Sequence, residues 1–352
     1  MASQVGFISV DTCCGGDVPH PICQTPGDTV ARSPLHYDLA WLNVVCGAFG
    51  HRPYVLVVRD GDRVAGVLPL VLVKSLLFGR FLVSLPYVNS AGVIADDDAV
   101  ATALIDRAVQ LADELNVRHL ELRHEREYKH PALAHQLTTK VHMRLELPAT
   151  ADALWTQFKA KVRNQIRKGQ QQDFTVAWGG LDVLDDFYDV FARNMRDLGT
   201  PVFGRRLFRN ILTEFGDRAE MCVVRNGRQP IAAGLLVHGG RMTEVPSASS
   251  LRQYNRTNAN MLLYWNLLQR AIERGQAVFD FGRSSIDGNT YRFKKQWGAK
   301  PADAVWQYYV RKGDFEQMRR ESGNFDRLIG LWRHLPVALT RLIGPMIVRG
   351  IP

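Results

Sequence analysis

The chain has 352 residues, a formal net charge of +9, and 46% hydrophobic against 22% charged residues, a balance that excludes a disordered chain and suits roughly two globular domains. Five cysteines are too few for a disulfide-built secreted scaffold, and no apolar run approaches the ~18 residues of a spanning helix. The amino terminus has neither the basic start nor the apolar stretch of a secretory signal, so the expectation is a protein of the reducing cytoplasm.

Residues 1–32 read as a flexible leader without sustained periodicity. Cys13, Cys14, His20 and Cys23 lie there, but adjacent Cys13 and Cys14 match no usual zinc spacing, and no metal site is expected. Ser33-Pro34 reads as the N-cap and first residue of a helix running to Phe49. Tyr54–Val58, the turn Asp60-Gly61-Asp62 and Val64–Val73 form a hairpin signature. Phe81–Leu85 and Ala91–Ile94 read as strand pieces. Asp96-Asp97-Asp98 opens a helix to about Asn116, with its acids where the helix dipole favours them. His119–Arg123 reads as a strand.

The same order recurs later. Helices are expected over Leu181–Leu198 and Arg205–Phe215, then strands at Met221–Val224, Ile231–Val237 and Met242–Ser249. A helix over Asn258–Arg274 ends at Gly275. Val278–Phe281 is a strand, and Ala304–Val310 is expected to close this second sheet. Val57-Val-Arg-Asp-Gly61 can be laid over Val223-Val-Arg-Asn-Gly227, Val64–Leu68 over Ile231–Leu235, and Leu120-Glu-Leu122 over Phe279-Asp-Phe281. Three matches in one order point to a duplication. Each copy reads as helix, antiparallel hairpin, strand, helix, strand, which gives an α+β fold with mixed, largely antiparallel sheets flanked by helices. The expected divisions are a leader (1–32), a first domain (33–150), a second domain with a basic linking helix (151–312) and a basic amphipathic tail (313–352).

Charge divides unevenly. Residues 1–150 hold 13 basic and 16 acidic side chains, whereas 151–352 hold 31 and 19, which directs the second part toward an anionic partner or leaves it a solvated basic surface. One helix is expected over Trp155–Gln172, with Lys159, Arg163 and Arg167 four apart on one side. That side, with Asn164 and Lys168 beside it, is either solvated or a phosphate clamp. Met195–Pro201 reads as a helix stop that can border a cleft. Asn255, Asn258 and Asn260 crowd the start of the helix that carries Tyr264, where free N–H groups favour an anion, unless Asn258 is a plain N-cap. The densest segment runs from Asp280 through Arg283 and Ser284 to Tyr291, Lys294, Lys295 and Trp297. Residues 283–312 hold seven basic and two acidic residues, which make either a binding site or a basic helix with aromatic core contacts. The motifs of serine hydrolases, zinc proteases, phosphate loops and dinucleotide folds are absent.

Taken in order, Lys161–Lys168, Asn194–Pro201, Asn258–Trp265, Phe279–Arg283 and Tyr291–Gly298 resemble the FemAB group of the GNAT acyltransferase superfamily. More narrowly, they resemble the FemAB-related proteins associated with PEP-CTERM and exosortase systems. The resemblance spans about residues 35–312. It implies tandem GNAT-like domains that transfer an acyl or aminoacyl group to an amine or hydroxyl in cell-envelope or exopolysaccharide synthesis. The donor it implies is aminoacyl-tRNA or acyl-CoA; no bound cofactor is expected. GNAT domains that use CoA cradle its pyrophosphate on a Gln/Arg-x-x-Gly-x-Gly/Ala run, whereas residues 241–274 contain no glycine. Lys294 best matches the family's Tyr/Phe-Lys-x-x-aromatic-Gly pattern and is assigned to a substrate phosphate or carboxylate, joined by Arg163, Arg167 and Arg283. Asp280 is the candidate base or orienting group. The rival reading is an inactive GNAT-like module that binds tRNA or an anionic glycan. Residues 327–349 carry arginines and no acid among recurring apolar positions. Two short helices are expected there, lying either on the second domain or on an anionic inner membrane.

Overall fold

The computed structural model describes residues 9–14, 38–75, 79–316 and 326–351. In chain order the elements are β1 (Val10–Cys14), α1 (Ala40–Phe49), β2 (Arg52–Asp60), β3 (Arg63–Ser75), β4 (Gly79–Val83), β5 (Ile94–Ala95), α2 (Asp98–Glu114), β6 (His119–His124), β7 (His135–Leu137), β8 (Lys140–Glu146), α3 (Ala151–Gln157), α4 (Ala160–Gln170), β9 (Phe174–Gly179), α5 (Leu184–Leu198), α6 (Arg205–Phe215), β10 (Ala219–Asn226), β11 (Gln229–His238), β12 (Met242–Ser250), α7 (Ala259–Glu273), β13 (Val278–Ser285), α8 (Asn289–Gln296), β14 (Lys300–Asp303), β15 (Val305–Val310), α9 (Asp326–His334) and α10 (Val337–Val348). They form two compact units, one of residues 1–138 and 304–319 with the last three, the other of 139–303 and 320–349. His20, Cys23 and Ser33-Pro34 lie outside the described residues.

In the first unit the sheet runs β1-β2-β3-β4-β6-β15-β7, with β5 paired to β3. All its pairs are antiparallel except β4 with β6, which α2 connects as a parallel crossover requires. Asp97 caps α2 by accepting from Val100 N at 2.8 Å. Leu104, Ile105, Ala108 and Leu111 of α2 then bury against Leu56, Leu68, Leu70, Leu120 and Leu122 of the sheet.

In the second unit the sheet runs β14-β8-β13-β12-β11-β10-β9. Here the parallel pair is β12 with β13, joined through α7. One face is covered by α3, α4 and α7. On α5 and α6, Phe187, Phe191 and Phe208 pack as a second aromatic group. Ile231–Val237 is buried throughout, the continuous apolar pattern expected of a strand covered on both faces.

The two sheets repeat each other. Both hairpins turn at a glycine of positive φ, Gly61 and Gly227, the conformation glycine takes without strain. Both carry a register shift at the matching Val-Arg step, Val58/Arg59 and Val224/Arg225.

Several expectations need correction. Val305–Val310 does not close the second sheet; it pairs with β6 and β7 in the first. Conversely β8, which precedes the expected boundary at 150, pairs with β13 and β14 in the second. Each strand is separated by a long stretch of chain from the sheet it completes, and local patterning carries no information about such pairing. The expected helix over 155–172 is two helices, because Phe158 and Lys159 are extended, with ψ of 143° and 149°. Residues within the expected leader form β1 on the edge of the first sheet. Of Ala91–Ile94, only Ile94 is strand, and it pairs with Val67. Asn258 stands at the N-cap position of α7 in a left-handed conformation with no side-chain capping bond.

The tail forms α9 and α10, separated at Pro336, with Pro345 inside α10. It packs on α5. Trp332, Thr340 and Val348 are buried, Arg341 pairs with Asp189, and Arg196 donates to Leu335 O at 3.1 Å.

Candidate active site

The site begins where two parallel strands part. β12 and β13 are in register only over Met242–Val278, Thr243–Phe279 and Glu244–Asp280. Past that pair β12 continues on β11 through a bulge, and β13 continues on β8 through a bulge between Asp280 and Arg283. Gly282 lies in this bulge at φ 77°, a backbone geometry that suits glycine. Such a parting leaves strand edges unpaired with each other inside a sheet. Ser250 Oγ on β12 and Ser284 Oγ on β13 are both buried and find no hydrogen-bond partner among the described residues, and buried polar atoms without partners are uncommon in folded proteins.

The first unit treats the equivalent place differently. Past the β4–β6 register, Ser84 N donates to Glu121 O, Ala91 N donates to Arg123 O, and Ser84 Oγ accepts from Arg123 N at 2.8 Å. The Arg123 guanidinium donates to Val88 O and Glu121 Oε1 and lies 4.0 Å from the Trp306 ring centroid. Chain segment 84–91 thus bridges what stays open in the second unit.

Asp280 sits at the parting and is 3% exposed. Its Oδ1 accepts from Gly282 N at 2.6 Å. Its Oδ2 accepts from Arg144 Nε at 2.9 Å and lies 3.4 Å from His142 Nδ1. Burial alone would raise the carboxyl's pKa, but the hydrogen bonds and charges of His142 and Arg144 outweigh it and hold it below the ordinary value. Glu244 stands in register with Asp280 on the neighbouring strand, so the two side chains share a face. Lys294, on α8, is also buried; its Nζ donates to Gly282 O and Arg283 O at 3.0 Å each. Burial lowers its pKa to about 8, against the pull of Asp280. Asp280, Arg283, Ser284 and Lys294 are therefore gathered around one bulge.

The other expected residues form two further groups. Tyr264, Tyr291 and Trp297 are buried in the core, where Tyr264 stacks on Phe281 with centroids 5.6 Å apart. Burial raises the Tyr264 phenol well above its usual value. Lys295 is exposed and lies 5.7 Å from the Tyr291 ring centroid. On α4, Arg163 donates to Phe158 O at 2.7 Å and so caps α3, while Arg167 donates to Asn164 and lies over Trp155. A Cβ on Gly169 would stand 2.9 Å from Asn258 O and 3.0 Å from Leu262 Cβ. That close approach brings the last turn of α4, with Arg167 and Lys168, against the start of α7, with Asn255 just before it and Asn260 within its first turn. Among the described residues no group of three or more His, Cys, Asp or Glu is arranged to hold a metal ion.

His142, Arg144 and Glu244 were not singled out by the sequence. Nothing local marks them: they reach Asp280 only through strand pairing, His142 and Arg144 from the far side of the chain.

Residues 156–295 match the family model of the acetyltransferase (GNAT) domain. The second unit thus contains the stretch that is similar to a GNAT acetyltransferase domain. The matched stretch includes the parted strands and most of the surrounding site residues, though it omits His142 and Arg144. Among solved structures, FemX is similar over 82% of this chain and 96% of its own, with a TM-score of 0.64 at 14% identity. A C-terminal domain assigned to a lysylphosphatidylglycerol synthetase from Agrobacterium fabrum is similar over 85% and 94%, with a TM-score of 0.56 at 14% identity. A tandem GNAT protein from the clavulanic acid biosynthesis pathway is similar over 87% and 100%, with a TM-score of 0.52 at 13% identity. At these identities the likeness is one of fold. No curated protein sequence matches the chain.

Proposed function

We propose that the GNAT-like domain of the second unit transfers an acyl or aminoacyl group to an amine or hydroxyl of a cell-envelope or exopolysaccharide precursor, in the manner of FemAB-type transferases. The observation that carries this reading is the parting of β12 and β13 at Glu244 and Asp280, with buried serine hydroxyls on both strands that find no partner among the described residues. An extended acyl donor entering there can pair with strand edges that do not pair with each other.

Attack by the acceptor on the activated carbonyl requires loss of a proton. In this reading Glu244 is the proton acceptor. Asp280, already engaged by Arg144 and Gly282 N, is a positioning residue that fixes the bulge and the local charge. Lys294 holds the two carbonyls of the bulge and sets the field in which charge develops. The exposed Arg167 and Lys168 beside the start of α7 suit the phosphates of acyl-CoA or aminoacyl-tRNA. The narrower kinship with proteins of PEP-CTERM and exosortase systems rests on the sequence motifs.

The test is intact-mass analysis of candidate acceptors, including amino sugars and lipid-linked glycans, after incubation with acyl-CoA or aminoacyl-tRNA. A donor-dependent mass increase that disappears in Glu244→Gln is the expected result. Saturable donor binding with no transfer to any acceptor would favour an inactive binding module instead.

A further inference from the structure

The tail helices α9 and α10 have two unlike faces. The inner face is consumed by packing: Trp332, Thr340, Gly344 and Val348 are buried, and a Cβ on Gly344 would lie 2.7 Å from Val202 Cγ1. The outer face is apolar and open. Leu331 is 66% exposed, Leu342 71% and Met346 76%, with Leu339 and Ile347 also exposed. On α10 the outer residues 339, 342 and 346 follow a three-four spacing, which forms a stripe along one side of a helix. Exposed Arg349 accompanies this stripe, Arg333 is exposed as well but donates to Leu198 O at 3.3 Å, and the two helices hold a single acid, Asp326, at the start of α9.

A surface of this kind has a particular chemistry. Large side chains lie outward on a helix that is already docked by its other side, so core packing does not explain them. An apolar stripe accompanied by cations and almost free of acids is complementary to a bilayer surface with anionic headgroups, where the apolar side chains enter the acyl boundary and the arginines meet phosphates. A second copy of this chain offers the same basic patch and would bring like charges together.

We infer that the outer face of α9 and α10 is a membrane-contact surface for anionic phospholipid. It attaches the protein peripherally, since among the described residues no helix is long and apolar enough to cross a membrane. This inference stands independently of the transferase reading, because lipid binding is measured without donor or acceptor.

The experiment uses the full chain and its Leu342→Glu/Met346→Glu variant. Both substitutions are at exposed positions, and circular dichroism checks that the fold is kept. Each is sedimented with vesicles of phosphatidylglycerol mixed with phosphatidylcholine, and with phosphatidylcholine alone. The full chain is expected to bind the anionic vesicles, to leave the neutral ones free and to be released by salt. The variant is expected to lose at least about tenfold in partitioning. Equal binding by both chains, or binding by neither, would overturn the inference. So would a concentration-dependent dimer in gel filtration that the variant abolishes, without vesicle binding, because the face would then be a self-association surface.

Discussion

Replacing Asp280 with Asn removes the charge at the centre of the bulge while keeping the shape. The amide oxygen can still accept from Gly282 N, but the amide nitrogen then faces the Arg144 guanidinium, which donates and needs an acceptor. The loss is therefore the charge-assisted bond from Arg144, worth ~1.5–3 kcal/mol, with some penalty for a cation left unpaired. Arg144 retains 22% side-chain exposure, so water recovers part of that penalty. The expected destabilisation is about 2–3 kcal/mol. For a unit of this size it corresponds to roughly 5–10 °C in unfolding temperature.

Thermal and urea unfolding of wild type, Asp280→Asn, Arg144→Gln and the double variant measure the coupling directly. The carboxyl's folded pKa lies below the ordinary value of 3.8, so the folded state binds fewer protons than the unfolded one in acid. Its contribution to stability is therefore whole above the unfolded value and is lost as pH falls through the folded value. The difference between wild type and Asp280→Asn should shrink in that acid window. An Asp280→Asn protein within about 0.5 kcal/mol of wild type at pH 7, or no coupling to Arg144, would refute the assignment of Asp280 as the hub of the bulge.

Glu244→Gln should lower turnover by about 10²–10⁴ with little change in unfolding temperature, as expected when a proton acceptor is removed; steady-state kinetics of acyl transfer checks this. Lys294 has a folded pKa of about 8 against the ordinary lysine value of 10.5, so the unfolded chain binds the extra proton between those values. This raises stability as pH climbs from about 8 to 10.5, and Lys294→Met should flatten that rise in urea titrations. Gly169→Ala forces a methyl against Asn258 O, a backbone atom. It should cost about 1–3 kcal/mol and raise the KM for donor by shifting α4 from the start of α7; an unchanged KM would separate that junction from donor binding.

The sequence by itself determined many of the elements and their repetition. Glycine at the turns fixed both hairpins, because Gly61 and Gly227 need a positive φ that other residues adopt at a cost. Apolar periodicity fixed α2, α5, α6 and α7, since an amphipathic face is written within a few turns of chain. The repeated order of these elements fixed a duplicated α+β fold. The basic and aromatic segment from Asp280 to Trp297 was also legible, because its residues are neighbours in the chain. Tertiary structure alone decided that β8 and β15 each complete the sheet of the other sequence half, since strand pairing over such separations depends on hydrogen bonds that no local pattern encodes. The same pairing brings His142 and Arg144 to Asp280 and turns an acid flanked by phenylalanines into the centre of a charged network. It also aligns Glu244 with Asp280, then lets their strands part, while the first unit bridges its equivalent place through Ser84 and Arg123. That contrast between two similar halves arises from a few long-range hydrogen bonds, and so it can be read only in the folded chain.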